Sequence, residues 1–315
     1  MGIKYLSYTR YPITGAEITM DELAKRIEEA VREVVANNTK NRLTHFNNQP
    51  IFDEPLVGFA DGDDPIFTLY KTVVGDFHLT PREALEKYIE ASAPAAGKPQ
   101  KVSVVAWILP FTKMVKESLR RETEVPSLEW NHARWEGQEL MDQLAKFIVA
   151  ILRGMGYTAC APDMEPFFAV KADGPYGRSA NWSQRHIAYA AGLGTFSLND
   201  GLITAKGIAM RCGSIVTSAA ITPTPRAYTD RRDHCLFFRD GSCRRCAERC
   251  PAGAISEAGH DKVKCRDYVV TGQLEALKRL GREEGYMGRY LACGLCQTKV
   301  PCESGIPPAK ADKSN

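Results

Sequence analysis

Apolar residues recur at helical spacing soon after the start of the chain. Thr19 and Glu22 match the capping-box pattern that opens a helix. The apolar face that follows consists of Leu23, Ile27, Val31 and Val34. The spacing therefore predicts an amphipathic helix.

Two further helices are predicted in the first half of the chain, and a third follows. Thr80 with Glu83 repeats the capping box, and Pro81 occupies the first helical position. Glu136–Leu152 carries a continuous apolar face and is ended by glycines. Trp182–Ala191 also reads as a helix, which stops at Gly192.

Runs of β-branched and aromatic residues separate these helices. We predict strands over Lys101–Leu109, Tyr157–Ala161 and Ser214–Ile221. Strands interspersed with helices are typical of an α/β (α+β) sandwich. We therefore expect this architecture for the first part of the chain.

Composition and charge constrain the location more than the function. The net charge of +3 and a pI near 8.3 neither require nor exclude a nucleic-acid partner. The first residues show no apolar signal region and no twin arginine, and no apolar run reaches the length of a membrane span. We expect a cytoplasmic protein without a membrane partner.

The ten cysteines are distributed unevenly. Cys160 and Cys212 stand alone, and we expect both to be buried structural thiols. The other eight all lie after residue 234. We place a domain boundary in the polar, proline-containing stretch before them, which divides the chain into residues 1–228 and 229–315.

The eight clustered cysteines have the spacing of iron–sulfur ligands. Bacterial two-cluster ferredoxins use C-x2-C-x2-C-x3-C-P, in which the last cysteine binds the other cluster. Cys250-Pro251 matches that crossing position. The spacing predicts one [4Fe-4S] cluster on Cys235, Cys243, Cys246 and Cys302. It predicts a second on Cys250, Cys265, Cys293 and Cys296.

Zinc is the alternative for these cysteines. Two C-x2-C pairs are enough for a four-cysteine zinc site. Such a site uses only four of the eight thiols and does not account for the Cys-Pro pair. Cys235 is the least regular ligand, because the insert LFFRDGS separates it from Cys243.

A glycine-rich turn precedes the cysteine motifs. Arg185–Thr204 reads RHIAYAAGLGTFSLNDGLIT. Gly192 and Gly194 permit a positive φ and a close approach of a ligand, but a helix C-cap followed by a tight turn gives the same string. Spacing leaves both interpretations open.

The AGLG turn, the strand after it and the two cysteine motifs together resemble the epoxyqueuosine reductases and the reductive dehalogenases. The resemblance covers roughly residues 101–302. It implies a corrinoid-binding sandwich, followed by a ferredoxin-like module whose two [4Fe-4S] clusters pass electrons to cobalamin. It also implies that Cys265 is the extra ligand of the cluster nearer the corrinoid. The implied cofactor contacts are Gly192, Leu193, Gly194, Thr195, Phe196 and Asn199.

The chain departs from these families at informative positions. Asn199 lies near the place of a family lysine, and Arg178 stands where the reductases have a catalytic aspartate. The chain ends soon after Cys302, where long epoxyqueuosine reductases carry tRNA-binding repeats, so we do not expect a tRNA substrate. We expect a paralogue that reduces its own small-molecule substrate.

Reductive chemistry on a corrinoid needs a proton donor and a source of electrons. The candidate catalytic residues are Tyr176 as a phenol donor, Arg178 as a holder of an anionic substrate, and His186. A helical histidine such as His186 is more often a satisfied core residue. The expected partner is a low-potential donor of the ferredoxin or flavodoxin type. The alternatives are an electron carrier without its own substrate, and reduction of epoxyqueuosine in tRNA.

Overall fold

The structure is a computed structural model that describes residues 18–174 and 177–308. The α-helices are α1 Met20–Asn37, α2 Ile66–Val73, α3 Pro81–Ser92, α4 Lys113–Arg120, α5 Leu128–Gly154, α6 Gln184–Ala190, α7 Leu236–Asp240, α8 Arg245–Glu248, α9 Lys262–Asp267 and α10 Gln273–Leu280. The strands are β1 Arg42–Leu43, β2 Gln49–Pro50, β3 Leu56–Asp61, β4 Ser103–Pro110, β5 Ala159–Cys160, β6 Val170–Gly174, β7 Gly177–Ala180, β8 Gly194–Phe196, β9 Leu202–Thr204, β10 Met210–Thr217, β11 Ile255–Ser256 and β12 Gly259–His260. Short 3-10 helices cover Pro94–Ala96, Pro162–Met164 and Leu295–Gln297, and a π-helical turn covers Tyr268–Gly272.

A four-stranded sheet, in the order β3-β4-β10-β5, organises the first part of the chain. Neighbouring strands are all antiparallel, and Trp107 of β4 pairs with Val57 on one side and Gly213 on the other. Every residue of β4 is buried, as its unbroken apolar run predicts. The mixed α/β class predicted from the sequence is confirmed.

The two faces of this sheet bury separate apolar cores. Successive side chains of a strand point to opposite faces. Trp107 accordingly joins a core with residues of α1, α4 and α5. Ala106 and Ile108 join a second core with residues of α2, α3 and α6. The sheet is therefore covered by helices on both faces.

Both predicted capping boxes are present. Thr19 accepts a hydrogen bond from the backbone of Glu22, and Thr80 accepts one from the backbone of Glu83. The third predicted strand, Ser214–Ile221, is displaced, because β10 runs from Met210 to Thr217. Pairing with β4 along its whole length extends β10 toward its N-terminus.

Helix α5 begins at Leu128 rather than at the predicted Glu136. Ser127 caps it and accepts a hydrogen bond from the backbone N–H of Trp130 at 3.2 Å. The added turns contain the buried polar residues Asn131 and His132. Periodicity misses them because polar residues interrupt the apolar face, and tertiary contacts bury them.

The segment after residue 234 consists mainly of short helices and turns around a third apolar core. The predicted boundary at residue 228 falls in the connection between β10 and α7. Thr224 of that connection exchanges two hydrogen bonds, each of 3.0 Å, with the backbone of Phe59 in β3. Within residues 18–174 and 177–308, no helix combines the length and apolar character needed to cross a bilayer.

Candidate metal-cluster site

Four of the clustered cysteines line one cavity. They are Cys235, Cys243, Cys246 and Cys302, the four predicted to share the first cluster. Apolar side chains form most of the remaining wall, including Leu198, Ile203, Ile208 and Val300. The cavity therefore presents four thiols in apolar surroundings.

Short local structures set the positions of these thiols. Cys235 is the N-cap of α7, and Gly241 ends that helix with a φ of 69°. The insert LFFRDGS, which makes Cys235 irregular in sequence, is thus one short helix and a turn. Cys302 is fixed from the other side, because its carbonyl accepts a hydrogen bond from Ile208 N at 2.8 Å.

The other four cysteines form a second group. Cys293 and Cys296 are each close enough to Cys250 and Cys265 for their charges to interact. Burial is the main reason why the pKa of Cys296 rises to about 12, and these neighbouring thiols raise it further. Cys250 also accepts a hydrogen bond from Ala254 N at 3.3 Å.

The two groups lie next to each other. Burial raises the pKa of Cys246 to about 12, and the interacting thiols include Cys296 of the second group as well as Cys235 and Cys243. Asn199 bridges the groups, since it lines the first cavity and its Nδ2 donates to the carbonyl of Cys296 at 2.9 Å. The resemblance implies that Asn199 contacts the corrinoid, and that assignment stays a prediction.

The spacing of the thiols bears on the zinc alternative. In a tetrahedral zinc site with Zn–S bonds of about 2.3 Å, the sulfur atoms lie only about 4 Å apart. In the part of the chain that the structure describes, the one set of three or more metal-binding side chains with ligand atoms within 4.8 Å of one another is His45, His132 and Glu136. The cysteine groups are therefore wider than a single tetrahedral ion requires.

An acidic and a basic side chain beside Cys265 were not anticipated from the sequence. His260 lies in β12, with its Nδ1 3.3 Å from Asp200 Oδ2. Burial opposes protonation, but the hydrogen bonds to Asp200 and Cys265 outweigh it and raise the pKa of His260 to about 9. Asp200 and His260 are distant in sequence, so no local spacing signals the pair.

The glycine turn is packed against the protein. Gly192 has a φ of 77° just after α6, and a Cβ there would lie 3.0 Å from the carbonyl of Pro225. At Gly194 a Cβ would lie 2.3 Å from the carbonyl of Ile203. Thr195 is fully buried, and its hydroxyl accepts a hydrogen bond from His234 N. Chain packing thus accounts for the small residues of this turn.

The predicted catalytic residues are not joined by a described contact. Tyr176 lies outside the described residues, and Arg178 is exposed on β7. His186 lies on α6 with its ring against Tyr70 and Phe196. Its Nδ1 is 2.8 Å from the hydroxyl of Ser183. Burial lowers the pKa of His186 to about 3, so its imidazole is neutral near pH 7.

A chain of hydrogen bonds runs from the protein surface into the second core. Gln184 donates to Asp163 at 2.8 Å and accepts a hydrogen bond from Ser214 at 2.6 Å. Ser214 in turn accepts one from the indole of Trp182 at 3.0 Å. Asp163, which was not predicted as a site residue, is thus an acidic group connected to this network.

Comparison with known proteins identifies a relative for part of the chain. An epoxyqueuosine reductase from Bacillus anthracis is 26% identical over 126 residues, which are 39% of this chain. This chain is similar to an epoxyqueuosine reductase. The resemblance predicted from the motifs is confirmed, although the aligned region spans only 30% of that enzyme's length. No protein-family model matches the chain.

Solved structures with a similar chain trace include both families named by the resemblance. A selenomethionine-labelled epoxyqueuosine reductase has a TM-score of 0.45 at 16% identity, covering 91% of this chain and 68% of the other. A reductive dehalogenase described in connection with B12-dependent dehalogenation has a TM-score of 0.49 at 14% identity. That alignment covers 82% of this chain and 31% of the dehalogenase.

Proposed function

We propose that this chain is an iron–sulfur reductase that holds two [4Fe-4S] clusters in a ferredoxin-like module over residues 229–315. Electrons from a low-potential ferredoxin or flavodoxin pass through the clusters to a cobalamin held by a sandwich domain over residues 1–228. The reaction is the reduction of a small-molecule substrate. The observation that carries the proposal is the gathering of eight cysteines into two adjacent groups of four.

The donor set fits iron–sulfur clusters in its chemistry. Thiolates are the usual ligands of [4Fe-4S] clusters, and two such clusters use eight of them. Apolar side chains form most of the wall around the first four thiols. When bound, the clusters supply one-electron transfer, and a corrinoid supplies the reductive chemistry.

The chain's own residues prepare the site for this role. Metal ligands must be deprotonated, and the raised pKa values of Cys246 and Cys296 mean that cluster loading displaces protons from them. The amide N–H of Ala254 donates a hydrogen bond to the sulfur of Cys250 in the second group. Such donors make a cluster easier to reduce.

The resemblance implies that the residues of the glycine turn contact the corrinoid, but they differ in how accessible they are. Gly192, Gly194 and Thr195 pack against other parts of the chain. Phe196 is only partly buried, and its ring lies against His186. We therefore assign corrinoid contact first to Phe196 and treat the glycines as positioning residues. The neutral imidazole of His186 is suited to accept a hydrogen bond in that region, rather than to carry a charge.

The test is anaerobic electron paramagnetic resonance of cluster-reconstituted protein, mixed with cobalamin and partly reduced. We expect signals of reduced [4Fe-4S] clusters together with a base-off cobalamin signal. Cys302→Ser and Cys265→Ser should each remove one cluster, and Cys160→Ser is the matched control outside both groups. Cluster signals with cobalamin unchanged from free solution would reject the reductase and support an electron carrier.

Reduction of epoxyqueuosine is the second candidate, and the named relative favours it. It predicts tRNA binding that weakens steeply as salt concentration rises. We prefer a small-molecule substrate because the net charge is only +3. A salt-dependent gel shift with epoxyqueuosine-containing tRNA, followed by conversion to queuosine, would reverse that preference. The cytoplasmic location remains a prediction.

A further inference from the structure

A set of metal-binding side chains lies apart from the cysteine groups, at the start of α5. His132 and Glu136 are four residues apart on that helix and therefore share a face. His45 reaches them from the turn between β1 and β2, with its ring centroid 5.2 Å from that of His132. The ligand atoms of the three residues all lie within 4.8 Å of one another.

Both ring nitrogens of His132 face hydrogen-bond acceptors. Its Nε2 is 2.8 Å from the carbonyl oxygen of Gly285, which only accepts, so this nitrogen carries a proton. Its Nδ1 is 3.2 Å from Oε1 of Glu136, which as a carboxylate also only accepts. A neutral His132 would turn a lone pair toward the carboxylate. A metal ion at this point would bind the ring nitrogen and the carboxylate together.

The surrounding contacts favour a metal ion. Metal-binding histidines usually donate their other ring N–H to a backbone carbonyl or a carboxylate, as His132 does to Gly285. Glu136 is also held in place, because the backbone N–H and the hydroxyl of Thr44 donate to its two oxygens at 3.0 and 3.1 Å. His132 is buried, whereas His45 is exposed and leaves a path from solvent.

We propose that His45, His132 and Glu136 bind a divalent first-row transition metal, with zinc the expected ion. Two imidazoles and one carboxylate form a common zinc ligand set, which a water molecule completes to four. The site shares no ligand with the cysteine groups, and the proposal does not rest on the proposed reductase activity.

The metal would fasten three parts of the chain together. His132 connects through Gly285 to the segment that leads into Cys293, and the neighbouring Asn131 accepts a hydrogen bond from Met287 N at 2.8 Å. His45 adds the β1–β2 turn. Metal binding at α5 would therefore restrain the approach to the second cysteine group.

The experiment is calorimetric titration of the cluster-loaded protein with Zn²⁺ alone, supported by metal analysis after dialysis. We expect one saturable zinc per chain in addition to the iron. His45→Ala and Glu136→Gln should each weaken binding by about tenfold or more. Glu139→Gln is the matched control, because Glu139 lies on the same helix, is exposed, and pairs with Lys40.

Co²⁺ substitution identifies the ligand type independently. Imidazole and carboxylate ligands should give weak d–d bands without thiolate-to-cobalt charge transfer. Hydrogen exchange over residues 281–292 should slow when Zn²⁺ is added to the wild type but not to Glu136→Gln. If the wild type binds no more zinc than Glu136→Gln does, the proposal is overturned. Charge-transfer bands that persist in both variants would also overturn it, by assigning the metal to cysteines.

Discussion

Two histidines lie in the second apolar core in neutral form. His78 is fully buried, and burial together with the charge of Lys71 lowers its pKa to about 4. Burial likewise lowers the pKa of His186 to about 3. Both values are below the ordinary histidine value near 6.5. Protonation of either ring is therefore much easier in the unfolded chain.

This difference predicts a loss of stability in mild acid. Between about pH 6.5 and pH 4, the unfolded state binds a proton at His78 that the native state does not bind, so the free energy of unfolding falls as the pH falls. The contribution of His78 between pH 7 and pH 5 is about 2 kcal/mol. Urea unfolding at the two pH values should show a smaller loss for His78→Gln than for the wild type. The exposed His45→Gln, without added zinc, is the control, and an equal loss in all three proteins would contradict the prediction.

Glu303, directly after Cys302, is a buried carboxylate with cationic partners. Arg120 of α4 donates to it from Nε at 2.9 Å, and the backbone N–H of Lys299 donates as well. Burial alone would raise the pKa of Glu303, but these hydrogen bonds outweigh it and lower the pKa. The pair joins the end of the cysteine segment to α4.

Glu303→Gln should therefore weaken both the fold and the first cysteine group. Removing one partner of a buried pair costs about 3–5 kcal/mol, and the partial exposure of Arg120 reduces this to about 1–3 kcal/mol. Urea unfolding gives the stability, and iron analysis after reconstitution gives cluster retention. Glu117→Gln, an exposed partner of the same arginine, should change the free energy of unfolding by less than about 0.5 kcal/mol. Similar losses in the two variants would refute the assignment.

At the scale of elements, the turn between Cys293 and Cys296 depends on close packing against α5. Gly294 has a φ of 67°, and a Cβ there would lie 2.2 Å from the ring of Trp130. The indole N–H of Trp130 donates to the carbonyl of Ala292 at 3.0 Å. The ring is thus held in place and cannot yield to an added methyl group.

Gly294→Ala should disrupt the second cysteine group and spare the first. We expect the iron content after reconstitution to fall from about eight to about four per chain, if each group holds one [4Fe-4S] cluster. Gly281→Ala is the matched control, because Gly281 has a φ of 61° but no atom within 4 Å of an added Cβ. That control should retain its iron and lose only about 1–2 kcal/mol of stability from the strained backbone. Full iron content in Gly294→Ala would contradict the packing argument.

The same elements show how far local sequence signals reach. The capping boxes at Thr19 and Thr80 are local, and both were predicted correctly. The first turns of α5 were missed because Asn131 is buried by a segment more than a hundred residues away. Spacing and resemblance predicted two groups of four cysteines, and the cluster held by each group stays a prediction. The position of Asn199 between the groups was not predicted, since a contact with Cys296 leaves no local pattern.

At the scale of the whole molecule, the connection between α4 and α5 receives several side chains from the cysteine segment. Arg249 donates to the carbonyl of Glu122 at 2.7 Å, and Tyr268 donates to that of Glu124 at 2.9 Å. Tyr286 donates to the carbonyl of Pro126 at 2.6 Å. These contacts tie the segment after residue 234 to the helices that cover the sheet.

We therefore expect the loaded protein to unfold in a single transition. Loss of the cluster absorbance and the change in tryptophan fluorescence should have the same urea midpoint within error, because neither part can open without breaking these hydrogen bonds. Anaerobic urea titration with both signals recorded on one sample tests this. Loss of absorbance at a clearly lower urea concentration would show that the cysteine segment opens separately.

Cys235 and Cys302 are the first and last cysteines in sequence that line the first cavity. All four cysteines of the second group lie between them in the sequence. This order has a consequence for biosynthesis. Three of its thiols leave the ribosome well before the fourth, so this site stays open until translation has passed residue 302. The pairing of Glu303 with Arg120 is completed one residue later. Under the proposed function, cluster insertion at this site follows the synthesis of Cys302, and the first three thiols wait in the nascent chain without their fourth partner.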